Sequence, residues 1–220
     1  MTQASLGRQT QRFLPTLAID IRGAELLRVK VPLRIGVDHA LASRRENVTH
    51  FLVLTDDLGN RGIGELLTRE YVTGETEDQG VACLNRLAQG LIGTVIDDPI
   101  SRLEDLWEST RGWEGRLGAM AAADGALLDL ASKNSALAIP KLLGRRPSRS
   151  KGWTTYSGVY SLAAGWKLFL LHFVHRTLFR MKELKVKGTG RLDRDLAYIR
   201  AIRGAYSYPI DVRLDLNGAP

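Results

Sequence analysis

The sequence has almost no cysteine, little proline and no long apolar run. Cys83 is the only cysteine in 220 residues. No internal disulfide can form, which excludes a small disulfide-stapled secreted scaffold and favours a reducing, cytoplasmic setting. Seven prolines against 22 glycines, with 44% hydrophobic and 25% charged residues, exclude collagen-like, low-complexity and disordered chains. A membrane-spanning helix needs roughly 18–20 consecutive apolar residues. The most apolar stretch, 162–179, is interrupted by Lys167, His172, His175 and Arg176. It reads as a buried amphipathic helix, and no membrane partner is expected. Residues 1–15 carry Arg8 and Arg12 but no acid and no apolar core. They lack the apolar run of a secretory signal; a flexible tail over 1–18 is the expected state, with a transit peptide as the alternative.

Acidic residues are scarce in one part of the chain only. Residues 1–140 hold 15 Lys and Arg against 19 Asp and Glu, a net of −4, whereas 141–220 hold 16 against 5, a net of +11. The basic balance therefore belongs to the last 80 residues, not to the whole. Arg145, Arg146, Arg149 and Lys151 could suggest a polyanion site. They fall in a Gly- and Pro-containing connection with only Trp153 nearby, and read as a solvated linker; no nucleic-acid partner is expected.

The first part reads as strands followed by helices. Ile19–Val31 is rich in β-branched residues and is expected to close at Pro32. Asn47–Thr55 alternates around Val48, Phe51 and Val53. Asp57-Leu58-Gly59-Asn60 supplies turn chemistry before a return strand at Gly62-Ile63-Gly64-Glu65. Thr76-Glu77-Asp78-Gln79 has the form of a capping box ahead of Val81, Leu84, Leu87, Ala88 and Leu91 at helical spacing. Pro99 opens another helix, and a third is expected from about Leu117 to Lys133. Beyond the linker the grammar changes to strand (Trp153–Tyr160), helix (Ser161–Phe179), strand (Glu183–Lys187), helix (Asp193–Ala205), strand (Ile210–Leu216). Such β-α-β-α-β order is that of a parallel sheet with right-handed crossovers. The expected organisation is an α+β domain over 19–147 and the start of a β/α barrel over 148–220.

Two short motifs end the last two strands. In Lys185-Val186-Lys187 the period of two puts both ammonium groups on one face, where each disfavours the other's protonation, one way to make a general base. In Asp215-Leu216-Asn217-Gly218 two oxygen-bearing side chains share a face and suit Mg²⁺. Either motif alone fits a solvated strand end. Together, at successive strand ends of a barrel, they would converge on one mouth. A lysine base with Mg²⁺ is the enolase-superfamily arrangement for removing a proton beside a carboxylate. His172 and His175, spaced i, i+3 without an acidic or cysteine partner, read as rim residues rather than zinc ligands.

At this point the sequence resembles the enolase superfamily, in its mandelate racemase/muconate lactonizing enzyme group. Gly62-Ile63-Gly64-Glu65 is similar to a strand end of that group's capping domain. Ala126-Leu127-Leu128-Asp129-Leu130-Ala131 resembles the helix before the barrel, and Ile139-Pro140-Lys141-Leu142-Leu143-Gly144 the segment after it. Leu184–Gly188 and Leu214–Gly218 resemble the lysine-bearing and metal-binding strands. Residues 69–76 and 155–159 resemble segments of muconate-cycloisomerase-like and dipeptide-epimerase-like members. The resemblance implies an α+β capping domain followed by a TIM-type barrel, here about three βα units. It implies a Mg²⁺-dependent racemase, epimerase or cycloisomerase acting on a small carboxylate: an amino acid, a dipeptide or a cyclic acid. Lys187 would be the base and Lys185 its partner near the carboxylate. Asp215 would be a metal ligand with Asn217 in support, and Arg69, Tyr71 and Tyr156 would touch substrate.

The departure from the family is length. A full barrel needs eight strands and about 250 residues, and the remaining acidic ligands and an opposing lysine would lie on later strands. The expectation is a C-terminally truncated chain, inactive alone. Two other readings stand: a non-catalytic binding or assembly module, open to homo-oligomerisation, and an o-succinylbenzoate-synthase-like dehydratase.

Overall fold

A computed structural model describes residues 18–39, 42–145, 156–160 and 166–216, the side chains of 34–39 and 42–44 excepted. The 1–17 tail, most of the basic linker and Asn217 lie outside the described residues. The chain divides into two compact units, Met1–Val29 with Val48–Arg149, and Lys30–Asn47 with Ser150–Pro220.

β-branched alternation builds β1 (Ile19–His39) and β2 (Ala42–Asp56), of which residues up to 29 and from 48 belong to the first unit, and β3 (Arg61–Leu66) returns antiparallel to β2. The short β4 (Val95–Ile96) completes a sheet of order β3-β2-β1-β4. Pro32 does not end β1, contrary to the sequence expectation. Pairing of β1 with β4 covers Ile19 and Asp20, so among the described residues β4 does not flank the strand near Pro32. A residue without an N–H is tolerated on such an edge. The Asp57–Asn60 turn forms as expected. Gly59 takes φ 81°, and Asp56 accepts the Asn60 N–H at 2.7 Å.

Helices then cover the sheet: α1 (Glu70–Thr73), α2 (Glu77–Leu91), α3 (Pro99–Ser109), α4 (Arg116–Ser135) and α5 (Ile139–Leu142). Thr76 and Gln79 make both bonds of the capping box. The alanine-rich α4 buries Ala119, Ala122, Ala123, Ala126 and Leu130 in the core and sets Ala122, Ala126 and Leu130 against β3. Gly62 and Gly64 make that approach possible: a Cβ on Gly64 would lie 1.8 Å from the Ala122 carbonyl oxygen, and one on Gly62 2.2 Å from that of Ala126. Asp129 fixes the register, its Oδ2 accepting the Ile63 N–H at 2.9 Å and the Lys133 ammonium at 2.8 Å.

The second unit holds a parallel sheet of order β5-β6-β7, formed by Ser157–Tyr160, Glu183–Lys187 and Asp211–Asp215. Crossovers are α6 (Trp166–His172), continued by one π-helical turn over Phe173–Leu178, and α7 (Leu192–Gly204). Its core centres on Tyr160, Leu184, Val186 and Ile202. This is the α+β domain followed by the opening strands of a β/α barrel that the sequence implied.

The apolar helix also departs from expectation. The 166–178 helix is not buried: only Leu168 and Leu171 of α6 pack on the core, while Trp166 is 71% and Phe169 73% exposed. Apolar residues occupy both faces of this segment, and the sheet can cover only one of them. The exposed stripe Trp166, Phe169, Leu170 and Phe173 keeps the i, i+3, i+4, i+7 spacing of a packing face. Among the described residues, no helix is long and apolar enough to cross a membrane.

Candidate active site

Strand β6 alternates with its partner layer. Leu184 and Val186 are buried toward the helices, so Lys185 and Lys187 emerge on the other face. Parallel pairing sets Lys187 beside Asp215 and Lys185 beside Arg213. Both lysines reach one atom: Lys185 Nζ and Lys187 Nζ each lie 2.7 Å from Asp215 Oδ2. Lys187 is the enclosed member, its side chain 16% exposed against 45% for Lys185. Spacing alone set the two lysines side by side; in the structure the Asp215 carboxylate stands between them.

The turn after β6 holds Lys187 in place. Gly188 donates its N–H to the Asp215 carbonyl at 3.0 Å. A Cβ there would lie 2.6 Å from Leu216 Cδ2, so glycine lets the strand leave the sheet tightly. Asp195, buried in the first turn of α7, grips the next residues. It accepts the Thr189 N–H and hydroxyl at 2.8 Å each and the Gly190 N–H at 3.1 Å. Sequence reasoning missed Asp195; its signal was an acid in a helical first turn just after a Gly-Thr-Gly loop.

The other predicted residues are less concentrated. Tyr156 does not join the cluster. It precedes β5, whose first residue Ser157 pairs with Glu183, so Tyr156 lies at the amino-terminal edge of the sheet, while Lys187 and Asp215 close the carboxyl-terminal edge. Strands rise about 3.3 Å per residue, which carries Tyr156 away from the lysines; it is 73% exposed. Arg69 and Tyr71 belong to the first unit. Arg69 caps the start of α1 and donates to the Thr68 carbonyl at 3.1 Å; both residues are half-buried.

The histidines are packing residues rather than rim residues. The Tyr160 hydroxyl, fully buried, meets His172 Nδ1 at 2.9 Å and the Tyr206 hydroxyl at 2.8 Å. His175 stands edge-on to the Tyr160 ring at 5.0 Å. Burial holds both histidines below their ordinary range, with Arg176 adding to the effect on His172 and His172 to that on His175. Burial, with the Glu75 carboxylate nearby, pushes the Cys83 thiol up and keeps it protonated.

The described residues do not fit a Mg²⁺ site. No group of three His, Cys, Asp or Glu side chains comes together among them. The one carboxylate at the cluster, Asp215, already carries two ammonium groups on one oxygen. Mg²⁺ is generally held by one or two carboxylates with waters and substrate oxygens in near-octahedral array. Asn217, the expected supporting ligand, lies outside the described residues.

A family described as mandelate racemase/muconate lactonizing enzyme, N-terminal domain, matches residues 21–144. The chain belongs to that family. No curated protein matches the sequence. Among solved structures, the family fold recurs in a dipeptide epimerase from Enterococcus faecalis V583, complexed with Mg and the dipeptide L-Leu-L-Tyr, with TM-score 0.73 and 24% identity. That match covers 92% of this chain and 55% of the other. A muconate lactonizing enzyme from Pseudomonas fluorescens, complexed with muconolactone, gives TM-score 0.76 at 24% identity, covering 92% and 54%. An N-succinyl Arg/Lys racemase from Bacillus cereus ATCC 14579 gives 0.77 at 22% identity, covering 91% and 53%. The chain thus spans about half the length of these family structures and holds part of their barrel.

Proposed function

We propose that the chain carries the base-bearing portion of an isomerase site that removes a proton α to a carboxylate. The observation that carries this reading is the convergence of Lys185 and Lys187 on Asp215 Oδ2 at the ends of adjacent parallel strands. A lysine held by a carboxylate can exchange that partner for a substrate carboxylate, or pass its proton to the Asp215 carboxylate and so become the neutral amine that takes up the substrate's α-proton. The enclosed Lys187 is placed for proton transfer, and the more exposed Lys185 for contact with the substrate carboxylate. Asp215 orients both. Arg69 and Tyr71 are proposed substrate contacts; Tyr156, at the far edge of the sheet, is not retained as one.

Family relatives crystallised with Mg and dipeptides support the substrate class of a small carboxylate and Mg²⁺ as the family's metal. The donor set described for this chain offers that ion one engaged carboxylate, so no step is assigned to it here. The 220-residue chain by itself is proposed not to turn over. Racemisation, epimerisation and dehydration begin with that proton removal, while cycloisomerisation ends with the reverse transfer, a proton delivered to the α-carbon of the enolate; the lysine cluster would serve either direction.

The test is an NMR titration of lysine-labelled protein with L-Leu-L-Tyr. The reading expects the Cε resonances of Lys185 and Lys187 to move together, and the effect to disappear in Lys185→Met. Saturating dipeptide that leaves both lysines unmoved would sink it. A second reading, a non-catalytic assembly module, is favoured by the exposed Trp166–Phe173 stripe. A stable complex that persists when Lys187 and Asp215 are replaced would favour it over the first.

A further inference from the structure

We propose that Glu75 is a positioning residue, a carboxylate latch that fastens the 69–76 segment, bearing Arg69 and Tyr71, to the amino end of α4. The purpose of the segment rests on the function proposed above; the latch itself rests on geometry. Glu75 is 8% exposed. Its Oε1 accepts the Leu117 N–H at 2.7 Å and its Oε2 the Gly118 N–H at 3.0 Å. The first amides of a helix lack intrahelical partners, and the residue preceding α4, Gly115, has no side chain to cap them. Glu75 supplies the cap from 42 and 43 residues away, as an anion on two donors at the positive end of the helix dipole.

The bed beneath the segment is built from glycine. A Cβ on Gly80 would lie 2.7 Å from Thr68 Cγ2, and one on Gly118 2.6 Å from Leu66 Cδ1 and 3.5 Å from Glu75 Oε2. Gly115, at φ 72°, would collide with the Gln79 carbonyl at 2.3 Å. The side chains of Leu66, Thr68 and Glu75, at the two ends of the segment, therefore lie directly on α2 and α4, and α4 begins against the α2 backbone. Within the segment, Thr73 Oγ1 donates to the Arg69 carbonyl at 3.3 Å and accepts the Glu75 N–H at 3.4 Å. The glycines hold by shape. Glu75 holds by charge and acceptor count, and an isosteric substitution separates the two.

Backbone hydrogen exchange on the full chain, free of substrate, tests this apart from any question of activity. Glutamine keeps the volume but offers one acceptor oxygen and no charge. Glu75→Gln is expected to raise exchange about tenfold in peptides spanning 69–76 and the first turn of α4, with β2 and α3 unchanged, the scale expected for one charged hydrogen bond lost. Glu75→Ala should raise it further in the same peptides. Exchange in Glu75→Gln equal to wild type would mean that shape alone holds the segment and would overturn the latch. A uniform rise across the unit would make Glu75 a general stability residue and would overturn it equally.

Discussion

Replacing Gly64 with alanine tests why the Gly62-Ile63-Gly64-Glu65 motif exists. The added Cβ would stand 1.8 Å from the Ala122 carbonyl oxygen and 2.7 Å from the Ala126 N. Both are backbone atoms of α4, so no rotamer change relieves the clash. Ordinary contact begins near 3.4 Å, and β3 and α4 must part by about 1.5 Å at that point. Overpacking of this kind costs about 1–3 kcal/mol. A radial gap of 0.5–1 Å along the rest of the seam also forfeits roughly a quarter to a half of each dispersion contact. Leu66, Ala126 and Leu130, all fully buried, share that loss. The expected destabilisation is at least about 3 kcal/mol, a large share of the 5–15 kcal/mol typical of a domain. Urea unfolding followed by Trp107 and Trp113 fluorescence reads it. Gly90→Ala is the control: nothing lies within 4 Å of its Cβ position in α2, so helix propensity should stabilise by about 0.5–1 kcal/mol. A Gly64→Ala protein within about 1 kcal/mol of wild type would refute the claim that this glycine is required for close packing.

The remaining expectations concern the second unit. His172 and His175 titrate below 6.5 in the folded protein, so the unfolded chain binds more protons there. The stability they contribute is complete above pH 6.5 and is lost as pH falls through their depressed folded values; near-ultraviolet circular dichroism should show tyrosine packing loosening in acid, and a flat profile there would contradict the buried Tyr160 network. Double-mutant cycles should couple Lys187 to Asp215 by about 1–2 kcal/mol, as a partly enclosed charged pair, and Lys185 to Asp215 by about 0.5 kcal/mol or less; equal couplings would contradict the difference in exposure. Phe169→Glu should lower self-association of the purified chain in light scattering, because it puts a charge in the exposed apolar stripe; unchanged association would place the contact elsewhere.

Much of this was legible in the residues. Thr76 and Gln79 announced their helix because a capping box is a local device, satisfied within four residues. Lys185 and Lys187 were placed on one face by period alone. Other features depend on partners far apart in sequence. That Asp215 lies between the lysines follows from strand register, which no local pattern states. Glu75 capping α4 and Asp195 gripping Thr189 are acids whose partners are backbone amides, and amides leave no mark in a sequence. The place of Tyr156 at the amino-terminal edge of its strand was not legible, because resemblance located the strand but not the end at which the residue sits. The helix at 166–178 was misread because apolar content says how much surface wants burial, not how much cover the fold supplies.

The lysine pair proposed for proton removal stands without a Mg²⁺ site among the described residues. The direct measurement is loss of the α-proton signal of L-Leu-L-Tyr in deuterated water, with and without Mg²⁺, for the wild-type 220-residue chain and Lys187→Met. The account predicts no Mg²⁺-dependent exchange in either protein. Mg²⁺-dependent exchange at enzymatic rates by the wild type, abolished in Lys187→Met, would show that a metal site forms after all and would contradict it.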